Sequence, residues 1–163
     1  MTSHASWKVQ LKSAVWNLHE MSSKTCNKTD FEIRILKCAP ASALERIYRS
    51  VGWYDESFSQ EAMKKICENS TLFAGAFINN EMVGMGRLIS DGVSDGCIQD
   101  VAVMKEFQGL GIGRAIVRKI IEESLKLGID WIQLIATPGN EKFYASLGFE
   151  PMKNHTPMLL KKN

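Results

Sequence analysis

Gln108-Gly109-Leu110-Gly111-Ile112-Gly113-Arg114-Ala115 is the stretch on which the fold turns. It follows the apolar run Cys97 to Val103 after a short link. It leads straight into Ile112, Ile116, Val117, Ile120, Ile121 and Leu125, a stripe at helical spacing closed by Gly128. A strand, a glycine turn and a long amphipathic helix therefore stand in series. Backbone N–H groups at a helix start carry partial positive charge, and glycines let an anion approach them closely. The spacing predicts a phosphate or pyrophosphate site, with a plain tight turn as the alternative. A P-loop needs Lys-Ser/Thr after its last glycine, and here Gly113 precedes Arg114 and Ala115. The dinucleotide fingerprint fails as well, because Arg114 stands where its third glycine belongs.

Working back from the loop, Thr71 to Ile78 and Met82 to Ile89 flank Asn79-Asn80-Glu81 and read as a hairpin. Gly84 and Gly86 in its second strand mark a bulge or a close approach of another chain. Further upstream, Phe31, Ile33 and Ile35 alternate with charged residues as in a half-buried strand. Ser42 with Glu45 has the spacing of a capping box, and Leu44, Ile47, Tyr48 and Val51 continue a helix that Gly52 ends. Ser57 with Gln60 opens a second helix. Downstream, Trp131 to Ala136 reads as a strand, Glu141 to Leu147 as a short helix, and Met158 to Leu160 as a last strand. The order is β-α-α-β-β-β-α-β-α-β. It implies an α/β (mixed α+β) domain, a mostly antiparallel mixed sheet with helices on both faces. The domain is expected over residues 30–163. Residues 1–29 form an N-terminal extension in which Trp7, Leu11, Val15 and Leu18 suit one face of an amphipathic helix.

Composition narrows the function. An apolar fraction of 45% against 23% charged is a globular balance. Lys and Arg number 20 against 18 Asp and Glu, so bulk charge gives no support for nucleic-acid or membrane-surface binding. No apolar run approaches the roughly 20 residues of a membrane span. Lys8, Gln10, Lys12 and Asn17 interrupt any signal-peptide core, so the cytoplasm is the expected location. Cys26, Cys38, Cys67 and Cys97 lie far apart, without metal-ligand spacing, and suggest reduced thiols and no metal. His4, His19 and His155 are isolated.

Three ordered segments carry a family resemblance. Gln108-x-x-Gly111-x-Gly113 resembles the coenzyme A pyrophosphate loop of the GNAT superfamily of N-acetyltransferases. Asp100-Val101-Ala102-Val103 before it resembles that family's pantetheine-holding strand. Asn140-Glu141-Lys142-Phe143-Tyr144-Ala145-Ser146-Leu147-Gly148-Phe149 resembles its late Asn…Phe-Tyr…Leu-Gly-Phe segment. The likeness covers about residues 31 to 162. Val51-Gly52-Trp53, Arg87-Leu88-Ile89-Ser90-Asp91 and Ile98 to Val103 are similar to a narrower branch. That branch includes plant and cyanobacterial arylalkylamine acetyltransferases and bacterial members of unassigned substrate.

The resemblance implies acetyl transfer from acetyl-coenzyme A to a primary amine of a small molecule, by direct attack in a ternary complex. A protein or peptide acceptor, or a non-catalytic coenzyme-binding regulator, are the alternatives. A homodimer is compatible with the family. Gln108, Gly109, Leu110, Gly111, Ile112, Gly113 and Arg114 would hold the pyrophosphate, Arg114 being otherwise a surface arginine. Val101, Ala102 and Val103 would meet the pantetheine arm, with Phe143 beside it. Asn140 would bond the coenzyme or cap its helix. Tyr144 would be the general acid, or a core tyrosine beside Phe143 and Phe149. Asp100 breaks an apolar strand and would be a base, a substrate anchor or a paired structural carboxylate. Trp53, Tyr54 and Asp55 would line the acceptor pocket, or close the core beneath a loop.

Overall fold

Five strands hydrogen-bond in the order in which they occur along the chain. They are β1 (Glu32–Ile35), β2 (Leu72–Ile78), β3 (Glu81–Ser90), β4 (Asp95–Val103) and β5 (Trp131–Leu134). Helices α1 (Ala41–Val51) and α2 (Gln60–Glu68) lie between β1 and β2, α3 (Ile112–Lys126) between β4 and β5, and α4 (Glu141–Ala145) after β5. The computed structural model describes residues 30–161. The expectation of an amphipathic helix within residues 1–29 lies outside the described residues.

The neighbouring strands are antiparallel except β4 and β5, which α3 joins in parallel. Each face buries its own cluster. Leu44 and Ile47 of α1 and Met63 and Cys67 of α2 pack with Phe73 and Met85 on one side. Ile116, Val117 and Ile120 of α3 pack with Val83, Leu88 and Ile98 on the other. This is the expected mixed sheet with helices on both faces.

Local chemistry explains the turns. Asn79 and Asn80 take φ of 49° and 64°, the left-handed pair that a two-residue hairpin requires. Gly52 closes α1 at φ 79°, and the Trp53 N–H returns to the Tyr48 carbonyl at 2.8 Å. Two helix starts differ from the sequence reading. Pro40, with φ −59°, starts α1 at Ala41, so Ser42 falls inside the first turn and caps nothing. Glu45 instead accepts from Arg49 at 2.8 Å and Gln60 at 3.0 Å. The cap of α2 is Ser59, accepting from the Ala62 N–H at 3.0 Å, two residues beyond Ser57. In α3, Leu125 is exposed and Ser124 is buried, its hydroxyl donating to the Ile120 carbonyl at 2.6 Å.

The last strand does not form. Residues 150–160 make no ladder, and Met158, Leu159 and Leu160 are 93%, 94% and 90% exposed. Pro151 and Pro157 lack an N–H to donate, and Asn154 turns at φ 62°. An apolar triplet without a paired edge beside it is not a strand.

Gly86 sits where α3 presses on the sheet. A Cβ there would lie 2.7 Å from Cγ2 of buried Ile116. Gly86→Ala is expected to destabilise the fold by about 1–3 kcal/mol through overpacking. Thermal melting checks it, and an unchanged midpoint would mean that α3 yields freely.

Candidate active site

The β4–β5 ladder runs only from Asp95↔Trp131 to Ile98↔Leu134, while β4 continues to Val103. Beyond Ile98 the two strands no longer pair, and a cleft of about 690 Å³ opens there. The Met104 N–H donates to the Val83 carbonyl at 2.9 Å. By antiparallel alternation Ala102 also faces β3, so the backbone groups of Val101 and Val103 point into the cleft. One of them is already used: Gln108 Nε2 donates to the Val103 carbonyl at 2.9 Å.

A bulge sets this edge. Arg87 pairs with Gln99 but Met85 pairs with Ala102, so both Asp100 and Val101 oppose Gly86. The extra residue is in β4, and Asp100 takes it up at φ 52°. Ile98 and Val101 consequently both pack on the α3 side, which plain alternation forbids. Asp100 points the other way. Its Oδ2 accepts from Tyr48 Oη at 3.0 Å and Arg87 Nε at 2.5 Å. Burial, followed by the Asp100 charge, raises the Tyr48 phenol far above its ordinary value, so Tyr48 stays protonated.

The glycine turn forms the floor. Gly109 and Gly111 have φ of 80° and 83°, and a Cβ on either would meet no other atom within 4 Å. Gly111 is the N-cap of α3 and offers no side-chain cap. The first N–H groups of α3 are thus left to an outside acceptor. An open, uncapped helix start with a left-handed approach suits a pyrophosphate. Gln108, Gly109, Ile112 and Gly113 line the cleft, while Leu110 is not part of its wall.

The opposite wall comes from α4. Phe143 and Tyr144 line the cleft, their rings edge-to-face at 4.9 Å, with Phe149 6.0 Å beyond Tyr144. Burial raises the Tyr144 phenol above its ordinary value. Its hydroxyl makes no hydrogen bond to another described residue. Tyr144 therefore both packs in a ring cluster and presents a protonated, unengaged hydroxyl. Asn140 also lines the cleft. It is the N-cap of α4, but its side chain caps no N–H and donates to Thr137 Oγ1 at 2.7 Å.

Trp53 is the acceptor-side aromatic that reaches the cleft, edge-on to Tyr48 at 6.3 Å. Tyr54 and Asp55 stand away from it. Arg49 stacks 3.8 Å above the Tyr54 ring. Asp55 Oδ1 accepts from the Ser57 N–H at 2.8 Å, which holds its carboxyl below the ordinary value. Val51 and Phe107 also line the cleft, although the sequence assigns neither a site role: Phe107 reads as link, and Val51 as helix face within the Val51-Gly52-Trp53 likeness. No Asp, Glu or His lines the cleft among the described residues. Nor do three or more of His, Cys, Asp and Glu gather there as a metal site.

Comparison with known proteins agrees with this geometry. The model of the Acetyltransferase (GNAT) family matches residues 39–149. An uncharacterized N-acetyltransferase, ycf52, of Pyropia yezoensis is 32% identical over 133 residues, covering 77% of this chain and 75% of that protein. The chloroplastic serotonin N-acetyltransferase 2 of Oryza sativa subsp. japonica is 29% identical over 111 residues, 66% of this chain and 54% of its own length. A solved GNAT-family acetyltransferase of Streptococcus pneumoniae superposes with a TM-score of 0.70 at 25% identity, covering 82% of this chain and 98% of that one. With a family match across most of the described domain and a cleft built as that family's segments imply, this chain belongs to the GNAT family of acetyltransferases.

Proposed function

We propose that this protein transfers an acetyl group from acetyl-coenzyme A to the primary amine of a small molecule, by direct attack in a ternary complex. The observation that carries the reading is the cleft itself. It runs from an uncapped helix start, along an unpaired strand edge, to a protonated tyrosine hydroxyl that bonds to no other described residue. Acetyl-coenzyme A supplies the acyl group as a thioester. Backbone N–H groups between Gln108 and Arg114 hold its pyrophosphate. The free edge at Val101 takes the pantetheine arm as an added strand, and a backbone N–H near Val101 polarises the acyl carbonyl. Tyr144 holds a proton at Oη for the departing sulfur. Trp53 supplies a stacking wall for the acceptor.

Asp100 acts as a structural clamp in this reading. Its Oδ2 is shared between Tyr48 and Arg87, and it stands outside the cleft wall, so it holds the bulge that presents Val101. With no carboxylate or imidazole among the described residues of the wall, the acceptor ammonium loses its proton to solvent before attack in this reading. The acid limb of kcat/KM should then follow the amine's own pKa, about 10 for an alkylamine. Asp100→Asn is expected to leave that limb in place and to lower stability by about 1–3 kcal/mol. A limb that vanishes or moves by a unit in the variant would make Asp100 the base.

The similarity to a plant protein named for serotonin acetylation supports a small amine as acceptor. Incubation with acetyl-coenzyme A and a panel of amines and peptides, following thiol release, tests the reading. Turnover on peptides alone would move the acceptor to protein. Tight coenzyme binding without turnover on anything would make the chain a coenzyme-binding regulator.

A further inference from the structure

Arg114 lines the cleft with the glycine loop, and its side chain is engaged elsewhere as well. It lies in the first turn of α3, yet its guanidinium reaches across to the end of α4. Nη1 donates to the Ser146 carbonyl at 3.2 Å and Nη2 to Ser146 Oγ at 2.8 Å. Ser146 Oγ in turn donates to the Phe143 carbonyl at 2.5 Å. The Tyr144 carbonyl accepts from Leu147 and Phe149 N–H in the same turn, at 2.9 and 3.2 Å. The guanidinium fork therefore grips the turn that carries Phe143 and Tyr144, the two aromatic residues that α4 gives the cleft wall.

That turn has little else to hold it. α4 spans five residues, buries none of them fully, and has no side-chain cap at its start. Its anchors are the partly buried Phe143 and Tyr144 rings, the Leu147 side chain and Arg114. An arginine fork keeps two bonds in fixed relative geometry, which a lysine ammonium cannot.

We propose that Arg114 is a positioning residue that ties the coenzyme loop to the helix of Tyr144 and sets where the phenol stands. The proposal rests on Tyr144 being the acid. Arg114 contributes here through the shape of its fork; its charge is secondary. Arg114→Lys keeps the charge beside the loop and loses the fork, so it separates this role from phosphate binding. Ser146→Ala removes both Oγ bonds, the one from Arg114 Nη2 and the one to the Phe143 carbonyl, and leaves the Nη1 bond to the Ser146 carbonyl and the loop in place.

The test measures kcat, KM and calorimetric coenzyme A affinity for Arg114→Lys, Ser146→Ala, Tyr144→Phe and the Arg114→Lys/Tyr144→Phe pair. Melting temperature serves as the folding control. Arg114→Lys is expected to lower kcat about tenfold, with coenzyme affinity changed less than about twofold. Ser146→Ala should move kcat the same way by less. In the Tyr144→Phe background, Arg114→Lys should cost less than about twofold more, because the group it positions is gone. Losses that multiply in the double variant, with Tyr144→Phe itself severe, would sink the clamp alone. Wild-type turnover in Tyr144→Phe would sink the acid reading and the clamp together. A tenfold loss of coenzyme affinity with kcat intact would make Arg114 a phosphate ligand instead.

Discussion

Tyr144→Phe is expected to lower kcat by about two to three orders of magnitude while coenzyme A affinity changes less than about twofold. The substitution keeps the ring, its edge-to-face contacts with Phe143 and Phe149, and the wall of the cleft. It removes only the hydroxyl, which bonds to no other described residue, so stability should hardly move. The sign of the pH dependence follows from burial. Desolvation raises the phenol above its ordinary value of 10.0, so the proton is present throughout the neutral range. Wild-type kcat should therefore show no fall from loss of this proton until the pH passes 10. Steady-state rates over pH in the two proteins check both points. Equal turnover in wild type and variant would return Tyr144 to a packing role.

Gly111→Val is expected to weaken coenzyme A binding by about tenfold to a hundredfold. Gly111 has φ 83°, a region that costs a β-branched residue about 1–3 kcal/mol. No protein atom lies within 4 Å of the added Cβ, so the cost is backbone strain rather than a clash. The chain can relieve it by rotating the turn, which moves the first N–H groups of α3 off their approach. If it holds the turn, the isopropyl group fills the open space left for the anion. Either way the coenzyme loses its seat, and the core clusters are untouched. Calorimetry with coenzyme A and a thermal melt separate the two effects. Unchanged affinity would mean that the pyrophosphate binds elsewhere.

Much of this molecule is readable residue by residue. Asn79-Asn80 announces a left-handed turn, Gly52 a helix end, and the Ile112-to-Ile120 stripe a buried helix face. The glycine turn was legible for the same reason, because Gly109 and Gly111 occupy backbone space that other residues avoid. Errors arose where a local signal competed with a partner far along the chain. Glu45 has capping-box spacing from Ser42, but Arg49 and Gln60 take its carboxylate and Pro40 starts the helix earlier. Met158-Leu159-Leu160 has strand composition, yet no described edge pairs with it.

The candidate site divides along the same line. Asp100 was conspicuous as a charge in an apolar strand. Its bulge, its left-handed backbone and its bonds to Tyr48 and Arg87 depend on residues 52 and 13 positions away. Arg114 gave no hint of Ser146, 32 residues on. Val51 and Phe107 became cleft wall only because β4 and β5 part beyond Ile98.

By itself the amino-acid sequence determined the strand–turn–helix unit and the two-faced sheet. Those follow from periodicity and from the backbone freedom of single residues, which act over a few positions. Tertiary structure alone decided where the ladder stops, which way Val101 faces, and what Arg114 and Asp100 hold. Each of those depends on hydrogen-bond partners that are distant in the chain and become neighbours only when the sheet and helices pack.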